Sequence, residues 1–119
     1  MRESILTKEW TVSAVNGGSI VVENIFGTQF SFNGYIDQII VRASAGGGAN
    51  FDMQIRRDDT SSNIEDLIYS TAAEPFPMTD SAINAPFDTA RAEDKDLSIW
   101  MDPAVNGTVV IRIDFRLLG

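Results

Sequence analysis

The run Thr108 to Leu117 reads Thr-Val-Val-Ile-Arg-Ile-Asp-Phe-Arg-Leu, and it constrains the fold more than any other stretch. Val109, Ile111, Ile113, Phe115 and Leu117 share one face of an extended chain. Val110, Arg112, Asp114 and Arg116 share the other. Alternation of period two over a full strand length predicts a strand with one buried face. The buried side is β-branched and aromatic, the residue types that pack best on a pleated surface.

Shorter runs of the same kind recur along the chain. Trp10, Val12 and Ala14 alternate with Thr11 and Ser13, and Asn16-Gly17-Gly18 follows as a turn signal. Glu9–Val15 and Ser19–Ile25 are therefore expected to pair as a hairpin. Phe26–Asn33 carries Gly27 and reads as a bend or short strand. Gly34–Ser44 is a strand with Ile36, Ile39, Ile40 and Val41 apolar on both faces, as in a central strand covered on both sides. Ala45–Asn50 holds three glycines and reads as a flexible turn. Phe51–Arg57 alternates, with Phe51, Met53 and Ile55 inward. Ser62-Asn63-Ile64-Glu65 has the spacing of a capping box for a short helix, whereas Leu67–Thr71 reads better as a strand. Phe87 begins a short edge strand, and Leu97, Ile99 and Met101 line one side of another. Asp102–Gly107 reads as a hairpin loop into the final strand.

These elements predict an all-β fold of about seven to eight short strands with little or no helix. The irregular connection between Pro75 and Pro86 points to a Greek-key or jelly-roll crossing, not a meander. The expected architecture is a jelly-roll-like antiparallel β-sandwich. Residues 9–119 form one domain, preceded by an N-terminal arm over residues 1–8. A chain of 119 residues is long enough to bury a core without staples.

Composition removes several function classes. The chain has no cysteine, so disulfides, thiolate zinc sites and thiol nucleophiles are excluded. It has no histidine, which removes the commonest general base and metal ligand and rules out Ser-His-Asp and Cys-His chemistry. Nine Lys and Arg against 17 Asp and Glu give a net charge of −8, the wrong sign for nucleic acid or an anionic membrane surface. No apolar run reaches membrane-spanning length, and the first ten residues lack a signal-peptide core. A cytoplasm or an assembled particle is the expected setting.

Each candidate chemistry has a plainer reading. Gly46-Gly47-Gly48 lacks the Lys-Ser/Thr of a phosphate loop and reads as a hairpin turn. Asp58-Asp59, Glu65-Asp66, Asp94 and Asp96 have the oxygen chemistry of a calcium site, but no EF-hand pattern, and read as solvated loop charge. Glu9, Glu23, Glu65, Glu74 and Glu93 could supply a glycosidase pair, yet their spacing singles out no acid and base. Trp10, Trp100, Tyr35 and Tyr69 could stack on sugars. Trp100 is the best of them, because it lies opposite Leu97, Ile99 and Met101, although packing or an interface is favoured. Arg56-Arg57-Asp58-Asp59 and the Arg112/Asp114/Arg116 face mix both signs and would suit a partner's complementary charge or plain solvent. Neither a cofactor nor a resident metal is expected.

Gly34-Tyr-Ile-Asp-Gln-Ile-Ile-Val-Arg-Ala-Ser is followed by the glycine turn and Phe51-Asp-Met-Gln-Ile-Arg-Arg-Asp. The chain ends with Asp96-Leu-Ser-Ile-Trp-Met-Asp-Pro and Asn106-Gly-Thr-Val-Val-Ile-Arg-Ile-Asp-Phe. Together these resemble small jelly-roll decoration, or cement, proteins on the capsids of tailed bacteriophages. The resemblance covers most of residues 34–117 and rests on strand rhythm. Similar rhythms occur in carbohydrate-binding jelly rolls.

The resemblance implies a virion structural protein, made in the host cytoplasm and bound to the outer capsid surface. Its partners would be the major capsid protein and its own copies, by family analogy as a homotrimer. Bridging shell subunits through many weak contacts would oppose expansion of the shell. Ile5, Leu6 and Trp10 are the expected anchor, and Trp100, Arg112 and Arg116 are further interface candidates. Deleting residues 2–8 is expected to abolish capsid binding and leave the fold intact. The alternatives are a carbohydrate-binding module of a tail or fibre, another head–tail component and, last, a small hydrolase.

Overall fold

The computed structural model describes residues 3–14, 18–27, 32–45, 50–57, 67–90, 97–103 and 107–118. They form nine strands and no helix: β1 (Glu3–Ala14), β2 (Ser19–Val22), β3 (Asn33–Ala45), β4 (Phe51–Arg56), β5 (Leu67–Glu74), β6 (Met78–Asp80), β7 (Ala85–Asp88), β8 (Ser98–Pro103) and β9 (Gly107–Leu118).

Every pairing is antiparallel. One sheet runs β1-β9-β3, with β6 and β7 both paired to the far side of β3. The other runs β2-β8-β4-β5. β6 meets Ile39–Val41 and β7 meets Asn33–Ile36, so the two are halves of one interrupted strand. Counted that way, two four-stranded sheets face each other. Only β4 and β5 are consecutive neighbours in one sheet; the other connections between full strands cross from sheet to sheet. This is the topology of a jelly roll, and it agrees with the expected all-β sandwich.

The alternation of the last strand is realised in full. Val109, Ile111, Ile113 and Phe115 of β9 are buried, and they face Phe51, Met53 and Ile55 of β4 and Ile99 and Met101 of β8 within one core. Each fully buried aliphatic or aromatic side chain of this kind contributes about 1.5–3 kcal/mol. Phe26, Phe32, Phe87 and Phe115 close one end, with ring centroids 4.8–5.7 Å apart. At the open side of the sandwich Tyr69 of β5 reaches across to β6, donating to Asp80 Oδ2 at 2.7 Å. Burial, then that carboxylate, push the Tyr69 phenol well above its ordinary value.

Several expectations are corrected. The first strand starts at Glu3, not Glu9, and residues 3–8 pair one for one with Ile113–Leu118 of β9. The described part of the expected arm is therefore sheet edge. Deleting residues 2–8 would strip half the partner strand of β9, so the fold would not be left intact. β1 and β2 do not form a hairpin, and neither do β8 and β9, because each pair is divided between the two sheets. The apolar face of β9 is long enough to claim β1 on one side and β3 on the other, which leaves β8 to pair with β2 and β4. The mixed pattern of β3 does not reflect cover on both faces. A bulge between Ile36 and Gln38 shifts the phase, so that Ile36, Ile39 and Val41 all point inward. The expected helix start at residues 62–65 and the glycine triplet at 46–48 lie outside the described residues.

Candidate functional site

The outer face of the first sheet carries a row of side chains available for contact. Across one rung Ile5 of β1 opposes Arg116 of β9, Arg116 opposes Tyr35 of β3, and Tyr35 opposes Pro86 of β7. Opposed residues share a face, so these four form a row. Ile5 is 66% exposed, the one large apolar side chain so placed among the described residues.

The row is built by the two irregularities that interrupt the sheet. The bulge ejects Asp37 from the β3 register, and the gap between β6 and β7 sits beside it. Ile83 donates its backbone N–H to the Asp37 carbonyl across that gap at 3.0 Å. Asp37 then receives Arg116: Nε donates to Oδ2 at 3.2 Å and Nη2 to Oδ1 at 3.4 Å. Nη2 also donates to Asn84 Oδ1 at 2.8 Å. The guanidinium is thereby held over the Tyr35 ring, 4.6 Å from its centroid. An ion pair this solvated adds at most about 1 kcal/mol to stability, so its main effect is orientation. Gly34 makes the row possible, because a Cβ there would collide with the Arg116 carbonyl.

The other charges of this face are paired within the chain. Arg112 Nε lies 3.4 Å from Asp114 Oδ1, Thr7 donates to the same oxygen at 2.7 Å, and Arg42 meets Glu9 at 3.6 Å. A mixed-sign face of this kind presents little unspent charge.

The second sheet offers a different surface. Ile20, Trp100, Gln54 and Ser70 form one outer rung. The Arg56 guanidinium lies over the Trp100 ring at 4.9 Å, and a Cβ at Gly18 would come within 2.5 Å of Trp100 Cζ2. The indole is thus packed between its own neighbours and does not stand open as a stacking platform.

Of the six interface candidates, the structure brings Ile5 and Arg116 together. Arg112 lies on the same face but opposes Glu9 and Ile40. Leu6 and Trp10 lie on the inner side, partly buried and packed against the core, because the regular pairing of β1 assigns its even-numbered positions to that face. Trp100 lies on the other sheet. The four large amphipathic aromatics are not gathered: Trp10 and Tyr69 pack inside, and Tyr35 and Trp100 lie on the outer faces of different sheets. Glu9 and Glu74 are likewise apart, one ion-paired with Arg42 and the other accepting from Thr71 at 2.7 Å. Glu65, Glu93 and the carboxylates at 58, 59, 66, 94 and 96 lie outside the described residues. Among the described residues no three His, Cys, Asp or Glu side chains gather as a metal site would require.

Sequence reasoning named Tyr35 only as a candidate for sugar stacking, and missed Pro86, Asp37 and Asn84. A signal was present: the step of three from Ile36 to Ile39 breaks the alternation, which is how a bulge reads in sequence. No protein-family model matches this chain, and no curated protein is significantly similar to it.

Proposed function

We propose that this protein works by binding and not by catalysis, as a virion structural protein that decorates the outer surface of a tailed-phage capsid. The observation that carries the reading is the row Ile5–Arg116–Tyr35–Pro86. It sets an exposed aliphatic side chain, a tyrosine ring, a proline and an oriented arginine side by side on a sheet, and tyrosine and arginine are among the types enriched at the centre of protein interfaces. Rigidity favours such a role, since a partner docking there orders little that is not already ordered. The jelly roll itself is shared by capsid and lectin domains and does not choose between them. The packed indole of Trp100 weighs against sugar stacking.

In this reading each copy spans neighbouring shell subunits, its partners being the major capsid protein and other copies of itself, expected as a trimer. The test mixes the protein with DNA-free heads of the phage that encodes it and reads co-sedimentation. Wild type should pellet with the heads, and Ile5→Asp, on an exposed side chain that the fold does not need, should lose at least tenfold in affinity. Light scattering across a concentration series reports the oligomer. Binding of Ile5→Asp at wild-type strength would overturn the choice of face, and no binding by wild type would overturn the capsid reading.

A further inference from the structure

The first sheet ends in a strand that is paired on one side only. β1 offers twelve consecutive residues, about 40 Å of extended chain, and pairs with β9 without a shift of register. Its inner positions show that the free side is not sealed. Leu6, Lys8, Trp10 and Val12 oppose Phe115, Ile113, Ile111 and Val109 of β9, and those four β9 residues are at most 2% exposed. Their β1 partners share the same inner face yet are only partly buried, and no residue from Ser4 to Ser13 is buried. The core is thus closed one strand further in and stays open along β1. The other edges suit a further strand poorly. β2 has four residues and a register shift, β6 has three residues, and β5 shifts twice against β4. β7 carries Pro86, which has no N–H to give.

A long regular edge beside an unfinished apolar layer is a template for strand addition. We infer that β1 receives an extended segment of a partner protein as the outermost strand of this sheet, and that Lys8 selects a segment bringing Asp or Glu to the position beside it. On an added strand every second side chain falls on the inner face. Two aliphatic side chains there complete the layer next to Leu6 and Trp10. The side chain between them meets Lys8, whose ammonium lies 5.9 Å from the Phe26 ring centroid at the rim of the core. An aliphatic residue at that place buries the ammonium without a partner, a basic one repels it, and a carboxylate pairs with it. A second copy of β1, added with its core on the same side, brings no carboxylate, since its inner positions are Ser4, Leu6, Lys8, Trp10 and Val12. Lys8 therefore rejects the chain's own edge and admits a complementary strand, so one charge supplies both the repulsion and the attraction. Main-chain hydrogen bonds give such a contact its affinity, and the alternate side chains give it its choice of sequence. The edge is separate from the outer-face row, and only an acidic extended segment is required, whether or not it belongs to a capsid.

The test adds a capped peptide, Thr-Ile-Thr-Glu-Thr-Ile-Thr, or the same peptide with Lys or Ile at its centre, to isotope-labelled protein and follows backbone amide exchange by NMR. At up to about 1 mM, the Glu peptide should slow exchange at alternate β1 amides, those not bonded to β9, and bind about tenfold more tightly than the Lys peptide. The Ile peptide should also bind more weakly than the Glu peptide. Lys8→Glu should reverse the preference between Glu and Lys, and Lys8→Gln should abolish it. Unchanged protection along β9 and β3 shows that each variant is folded, and the wild-type comparison decides by itself if either is not. Equal affinity of wild type for all three peptides, protection of a different edge, or no protection of β1 by any of them would overturn the inference. So would protection of β1 that grows with the concentration of wild type alone, since the edge would then belong to a second copy. No phage head enters the experiment, so failure here is distinct from failure of the capsid reading.

Discussion

Replacing Lys8 with valine should turn a guarded sheet edge into a self-pairing one. β1 offers twelve consecutive residues paired on one side only, without a bulge. The other edges are blunted: β2 has four residues and a register shift, β5 is paired to β4 through two shifts, and β6 and β7 are split. A long regular edge is a template for another chain, and an inward-pointing charge is one of the devices that close it. Lys8 is that charge. It opposes Ile113 on the inner side of β1, between Leu6 and Trp10, with its ammonium 5.9 Å from the Phe26 centroid. A second β1 pairing antiparallel about a twofold axis sets inner residues against inner residues. Lys8 would then meet Leu6, Lys8 or Trp10 of the other copy.

The dimer would bury two ammonium groups with no carboxylate opposite either. At about 1–3 kcal/mol for each unsatisfied buried group, the barrier is about 2–6 kcal/mol. At 1.4 kcal/mol per factor of ten, Lys8→Val should tighten association by roughly 30-fold or more. The attraction between the Lys8 ammonium and the Phe26 ring is worth at most about 1 kcal/mol, so the monomer should stay folded without it. Sedimentation velocity from 1 µM to 1 mM, with wild type and Lys8→Arg as controls, reads the change directly. Identical mass profiles for all three proteins would refute the argument that Lys8 closes this edge.

Tyr69→Phe should cost about 1.5–3 kcal/mol in urea at pH 7, the value of a hydrogen bond to a charged acceptor. Because the folded phenol titrates above its ordinary value of about 10, its contribution is complete below that pH and is lost as pH rises beyond it. The wild-type advantage should therefore shrink above about pH 10, and a constant difference up to about pH 11.5 would contradict this. Gly34→Ala should destabilise by about 1–3 kcal/mol, since a Cβ there meets the backbone of Arg116 and β3 must move from β9. Retention of full stability in urea would show that the two strands can part at that point at no cost.

What the sequence makes legible follows the strength of its alternation. β9 and β4 alternate cleanly, and their inner faces can be read to the residue, because a one-residue slip would turn every core side chain outward. Pairing is less legible, since the turn residues at 16–18 and 102–107 announce a reversal but not which sheet the chain enters next. Both hairpins expected there are crossings. At β3 a bulge imitates two-sided burial, because both place apolar residues on each parity of the sequence. The candidate site is legible only in part. Ile5 and Arg116 each stand out in the sequence, but their meeting depends on a pairing across 111 positions that only the fold supplies. Arg56 is visible only as one of a mixed-sign cluster, and nothing in the sequence tells that it is the arginine buried over Trp100.

The charge on this molecule invites an explanation of binding that the contacts do not support, and salt separates the two. A net charge of −8 would draw the protein to any basic surface over long range. Yet on the first sheet the cations are engaged: Arg42 with Glu9, Arg112 with Asp114, Arg116 with Asp37. What remains to make contact there is Ile5, Tyr35 and Pro86, whose burial does not weaken as ions are added. Screening length falls from about 10 Å at 0.1 M salt to about 3 Å at 1 M, which removes long-range attraction and leaves close contacts in place. If the row carries docking, the dissociation constant for phage heads should change by less than about threefold across that range, while the association rate slows. A loss of affinity beyond tenfold would mean that diffuse acidity holds the protein to its partner, and the row would then be a rigid surface without a binding role.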